Sequence, residues 1–153
     1  MEKYSINEVS LIKNEKAIFP MMGEFHFSRC PEKEWEDEIR KMRACGMDII
    51  ATYVFWIHHE EEEGVFDFSG QRNLHRFLEL CEKWQMHVWL RIGPWAHGEA
   101  RNGGFPDWLL KKGYKLFMQP MLTIHYTDAE LLELIEGINR ELSGTEALYI
   151  VDS

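Results

Sequence analysis

The segment from Gly93 to Leu110, GPWAHGEARNGGFPDWLL, concentrates the side chains of this chain best suited to holding a small polar ligand. One carboxylate, Glu99, stands among Trp95, Trp108, His97, Arg101 and closely placed glycines, directly after the apolar run HVWLRI. Aromatic faces cover the C–H patches of a polyhydroxylated ring, while a carboxylate and a guanidinium take its hydroxyls. The same composition fits a glycine-rich connection whose tryptophans belong to a core, and both readings stand at this point.

His58, His59 and the run Glu60–Glu63 offer metal-ligand types at unsuitable spacing. Adjacent histidines on an extended loop diverge, whereas zinc sites favour i, i+4 spacing on a helix or a shared close turn. The acidic run reads as a solvated loop, and neither a metal nor a cofactor is expected. The Glu36–Asp37–Glu38 cluster reads as the outer face of a helix.

The elements that must position these residues alternate. VSLI, a polar turn at Lys13–Lys16 and AIFPMMGEFHF predict a small N-terminal hairpin leading into a core strand. A helix follows, with Pro31 in its first turn, Trp35, Ile39, Met42 and Cys45 at helical spacing, and Gly46 as its stop. MDIIATYVFW (47–56) is nearly unbroken in its apolarity, as befits a strand buried on both faces of a parallel sheet. A polar loop over 57–70, a helix over about 72–85 with Leu74, Phe77, Leu78, Cys81 and Trp84 on one face, and a strand MHVWLRI (86–92) come next. Beyond the glycine-rich loop the pattern predicts a short helix over 106–112. A longer helix follows, capped by Thr127 and Glu130 and reaching about 142, and then a strand at ALYIV (147–151). Strands alternating with helices imply an α/β fold with a parallel sheet. The polar and aromatic residues collect at strand ends: Glu24 and His26, Tyr53 and Trp56, then Arg91 through Glu99. The turn after the first core strand, SRCPEKEW, has no glycine, which disfavours a nucleotide-binding sheet.

A chain of 153 residues with 45% hydrophobic content can bury one real core. Its formal charge of −9 argues against nucleic acid and anionic membrane as partners, which require basic patches. No apolar run reaches transmembrane length, and the polar N-terminus lacks the apolar region of a secretory signal. Cys30, Cys45 and Cys81 are an odd count; Cys45 and Cys81 fall at helix positions expected to be buried, and free thiols point to a cytoplasmic protein.

Taken together, GEFHFSRCPEKEWEDEIRKMRACGMDIIATYVFWIHHEEEEGVFDFSG and LRIGPWAHGEARNGGFPDWLL resemble the start of glycoside hydrolase family 35, the β-galactosidase family. The resemblance covers residues 18 to 110. It implies an N-terminal portion of a TIM (β/α)8 barrel over residues 1–153, with about four parallel strands and their covering helices. It also implies retaining hydrolysis of terminal β-galactosyl residues, which uses two carboxylates roughly 5–5.5 Å apart. In that family the acid/base follows strand four and the nucleophile comes from strand seven, so both catalytic residues are expected beyond Ser153 and none within the chain.

Two family positions carry over. Tyr53, in ATYVFW, matches a tyrosine that meets the galactose hydroxyls, and Glu99 matches a loop glutamate that accepts hydrogen bonds from the sugar without belonging to the catalytic pair. Trp56, Trp95 and Gly98 complete the candidate contacts with a galactoside or other carbohydrate. The chain departs from the family at Phe55 (usually Pro), Ile57 (usually Asn) and His97-Gly98 (usually Cys-Ala), and again after Leu110. An incomplete barrel also predicts self-association through exposed strand edges. The alternative to a hydrolase is a non-catalytic carbohydrate-contacting or interaction protein derived from such a barrel.

Overall fold

The computed structural model describes residues 3–96, 99–112 and 149–152. Chain order begins with an antiparallel three-stranded sheet, β1 (Tyr4–Ile6), β2 (Leu11–Lys13) and β3 (Lys16–Ile18). The predicted hairpin is β2–β3. Asn14 and Glu15, at φ of 48° and 67°, provide the two left-handed residues that a two-residue hairpin turn demands. β1 was not anticipated, because three residues, Tyr4–Ile6, set in a polar stretch are too short a run to show a strand period. It is folded back by Asn7, whose Oδ1 accepts from the backbone N–H of Val9 (3.0 Å) and Ser10 (2.8 Å).

The second sheet contains β4 (Met22–Glu24), β5 (Ile49–Tyr53), β6 (His87–Arg91) and β7 (Tyr149–Asp152), in that spatial order and with every neighbour pair parallel. Its register sets Glu24 beside Ala51, Ala51 beside Trp89, and Tyr53 beside Arg91. Helices α1 (Trp35–Ala44) and α3 (Leu74–Lys83) link the first three of these strands, and two short helices, α2 (Trp56–His59) and α4 (Asp107–Lys111), follow strand ends. The α/β architecture read from the alternating pattern is present. The predicted helix over 127–142 lies outside the described residues.

The helix-facing side of the sheet is the core. Ile50 and Val54, with Val88, Leu90 and Ile92, pack against Trp35, Ile39, Leu74, Phe77, Leu78 and Cys81. Asn73 starts α3, its side chain accepting from Arg76 N–H at 2.8 Å. Trp35 fixes the start of α1 to the turn after β4, its indole N–H donating to the carbonyls of Phe27 and Cys30, each at 2.9 Å. α1 and α3 are joined on their outer side by Glu36, which takes Lys83 and the Trp84 indole.

Two expectations are corrected. Cys45 is exposed, because α1 ends at Ala44 and Gly46, at φ 87°, swings the chain away from the core; Cys81 is buried as expected. The acidic run is not wholly solvated. The chain at Trp56–His59 is a helical turn rather than open loop, and it carries His59 and Glu60 inward to 1% and 0% exposure, leaving only Glu61–Glu63 in solvent.

Candidate functional site

Alternation along a strand sends Glu24, Ala51, Tyr53, Trp89 and Arg91 to the face opposite the helices. Toward the C-terminal ends of the strands this face is polar and aromatic. Arg91 Nη1 lies 3.2 Å from Glu24 Oε1, and its guanidinium sits 5.1 Å from the centre of the Tyr53 ring. His26, two residues past β4, stacks on Tyr53 at 5.3 Å and places Nε2 3.2 Å from the same Glu24 oxygen. Phe55 continues the stack at 5.5 Å from Tyr53, with Arg29 over its ring at 5.2 Å. The Tyr53 ring thus meets a guanidinium, an imidazole and the Phe55 ring, contacts that restrict its rotation.

Burial lowers the His26 pKa, against the field of Glu24 and with the help of Arg29 and Arg91. Its Nε2 faces Glu24. Nδ1, like the Trp89 indole nitrogen on the same face, is buried without a hydrogen-bond partner among the described residues.

The loop after β6 comes to this end of the sheet. Ala96 is buried against Tyr53, Phe55 and Ile57, with Ala100 packed beside it. These two alanines flank Glu99, which is exposed and adopts a left-handed φ of 57°. The loop is held by Ala96 N–H donating to Gly103 C=O (2.8 Å) and Gly103 N–H donating to Ala100 C=O (3.0 Å). Asp107, at the start of α4, clamps it from outside by accepting from Arg101 (2.7 Å) and Asn102 (2.8 Å).

The other candidates fall as follows. Trp56 is 1% exposed and belongs to the core, with its ring against Phe105 and Trp108 and its indole N–H given to Glu60. A ring so covered has no face for a sugar, so its candidate role as a stacking contact is corrected to packing. Trp95 is half-buried, packs toward Phe105 and lies so close over Gly103 that a Cβ there would meet its ring at 2.0 Å. Gly98 lies outside the described residues. Sequence reasoning named Glu24, His26 and Arg91 only as strand-end residues and missed Arg29. The signal available was the charge-bearing alternation W-x-R in HVWLRI, which puts Arg91 on the face of Trp89 rather than that of Leu90.

Residues 10–121 match the family described as Glycosyl hydrolases family 35. An exo-beta-D-glucosaminidase of Pyrococcus horikoshii is 47% identical over 101 residues, covering 63% of this chain and 13% of that protein. Beta-galactosidase 11 of Oryza sativa subsp. japonica is 38% identical over 99 residues, covering 65% of this chain and 12% of that protein. The chain therefore spans only 12–13% of the length of these relatives. Among solved structures, a beta-galactosidase from the psychrophilic Marinomonas ef1 superposes with a TM-score of 0.63 at 14% identity, over 88% of this chain and 22% of that one, a likeness of fold.

Proposed function

Because the chain belongs to glycosyl hydrolase family 35 through residues 10–121, we propose that β4–β7 are the opening strands of a (β/α)8 glycosidase barrel whose sugar site lies at their C-terminal ends. The observation that carries this is the packing of Ala96 and of Ala100, the residue after Glu99, onto the cluster of Tyr53, Phe55 and Ile57. Barrel enzymes place ligands at that end of the sheet. In this reading Tyr53 and Glu99 take hydroxyls of the terminal, non-reducing sugar, and the Arg91–Glu24 pair and His26 hold Tyr53 in place. A retaining mechanism adds a carboxylic acid to protonate the leaving oxygen and a carboxylate to trap the anomeric carbon. We assign both to positions past Ser153. Glu24 is engaged by Arg91 and His26, which suits it to positioning rather than to either catalytic role.

The substrate read from the sequence is a terminal β-galactoside. A second reading, a β-glucosaminide, is favoured by the 47% identity to a protein named exo-beta-D-glucosaminidase. An exposed carboxylate such as Glu99 can accept from a sugar hydroxyl or from the ammonium of a 2-amino sugar, and the latter bond would be the stronger. Aryl β-galactosides and aryl β-glucosaminides offered to the 153-residue chain are expected to show no turnover above a no-protein control. Turnover that Glu99→Gln abolishes would move Glu99 from binding to catalysis and overturn the assignment.

A further inference from the structure

The carboxylate of Glu60 lies where no acidic loop residue belongs unless it holds something. The residue is fully buried, and both of its carboxylate oxygens are occupied: Oε2 by the indole N–H of Trp56 at 2.5 Å, Oε1 by the backbone N–H of Gly64 at 2.7 Å. Its own backbone carbonyl accepts from the indole N–H of Trp108 at 3.0 Å. The two carboxylate bonds close the segment 56–64 around Glu60, and the third, at the backbone carbonyl, joins that segment to α4. Trp56 follows β5 by three residues and is continuous with Tyr53. Trp108 sits in α4 beside Asp107, the residue that clamps Arg101 and Asn102 just after Glu99. The rings of Trp56 and Trp108 meet edge to face at 5.9 Å, and Trp56 also leans on Phe105 at 6.0 Å.

We propose that Glu60 is a positioning residue: it latches the segment after Tyr53 to the α4 segment and thereby sets where the Glu99 loop stands relative to Tyr53. A carboxylate accepts at both oxygens at once, which no neutral side chain of similar size does, and that accounts for an acid at this buried position. Without it the Trp56 and Gly64 N–H groups lose their acceptors, the turn at 56–60 relaxes, and the Trp108 indole loses the fixed carbonyl it bonds. The loop that carries Glu99 then keeps its internal bonds and the Asp107 clamp, but α4, to which that clamp belongs, loses its fixed seat on the segment 56–64. The effect on ligand binding runs through the Glu99 loop; that part of the inference rests on the reading of the site given above, whereas the latch itself does not.

Amide hydrogen exchange tests the latch. The variants are Glu60→Ala, Glu60→Gln and Trp108→Phe, the last leaving the carboxylate seat intact, compared with Leu78→Ala in the helix-facing core. At matched loss of thermal stability, exchange over 95–105 is expected to rise about tenfold more in Glu60→Ala than in Leu78→Ala, with Glu60→Gln intermediate and Trp108→Phe at least about threefold above the control. Exchange over 74–83, where Leu78 itself packs, should rise more in Leu78→Ala than in the other variants. Equal exchange over 95–105 in Leu78→Ala, Glu60→Ala and Trp108→Phe would overturn the proposal; should Glu60→Ala not fold, Glu60→Gln and Trp108→Phe decide it by the same comparison. Galactose affinity measured on the same samples should fall about fivefold or more in Glu60→Ala and stay unchanged in Leu78→Ala. Failure of the parent chain to bind galactose or glucosamine removes the functional reading of the site, while the exchange comparison still decides the latch.

Discussion

His59 carries an imidazole into the interior, with Nδ1 3.2 Å from the Asp67 carbonyl and Nε2 buried without a hydrogen-bond partner among the described residues. Burial lowers its pKa to about 4 from 6.5. The sign of the linkage follows directly. Above pH 6.5 the ring is neutral in folded and unfolded chains alike and stability is full. As pH falls below 6.5 the unfolded chain takes up a proton that the folded chain refuses, and stability is lost until the folded ring also protonates near 4. Between pH 7 and pH 5 this amounts to about 2 kcal/mol. His26 and His58, both lowered chiefly by burial, act in the same direction. Urea titrations at pH 7 and pH 5 should show the loss, and His59→Asn should reduce it; an unchanged difference in the variant would contradict this account of His59. At this scale Tyr53 and Glu99 are proposed from dense motifs, ATYVFW and HGEARNGG. Glu60 was not legible, since four consecutive acids read as solvent-facing. What the run conceals is the i, i+4 step from Trp56 to Glu60 and the glycine four residues later, whose amide completes the seat.

Each element of the parallel sheet was legible for a reason of period or composition. IIATY is apolar on both faces and is buried on both, and HVWLR alternates and has one core face and one polar face. The run AIFPMMGEFHF predicts a core strand at its end, but only Met22–Glu24 pairs in the parallel sheet, because Phe27–Arg29 turns into a 3-10 helix that Trp35 secures. The loop between β6 and α4 could be located from its glycines, yet its shape depends on the close approach of Trp95 to Gly103, which sequence spacing does not reveal. Gly103 has φ 66° and a position where a Cβ would stand 2.0 Å from the Trp95 ring. Gly103→Ala must displace that ring and adopt a strained backbone, a cost of about 2 kcal/mol or more. The expected result is a matching loss in the denaturation midpoint together with a red-shifted tryptophan emission as Trp95 moves toward water. Emission identical to the parent would show that the loop accommodates the methyl without moving the ring.

For the whole molecule, the four parallel strands have one covered face and one polar, aromatic face, with β4 paired on one side only among the described strands. Phe19, Met21 and Met22, 85%, 50% and 47% exposed, add apolar surface next to that edge. An unpaired edge beside exposed apolar residues favours association of one chain with another. Sedimentation velocity of the 153-residue chain should show a weight-average mass that grows with concentration, and Phe19→Lys should lower it; a strictly monomeric species throughout would contradict the expectation. Among the described residues no helix is long and apolar enough to cross a membrane. The central claim is that Tyr53 and Glu99 share one sugar site at the C-terminal end of the sheet. It is tested most directly by titrating the isotope-labelled chain with galactose and with glucosamine while following backbone amides. The account predicts shifts concentrated at Tyr53, Val54, Arg91, Ala96, Glu99 and Ala100, saturating together, and weakened at least about fivefold by both Tyr53→Phe and Glu99→Gln. Shifts that cluster at β1–β3 or the N-terminal strand ends, or that are indifferent to both substitutions, would contradict it.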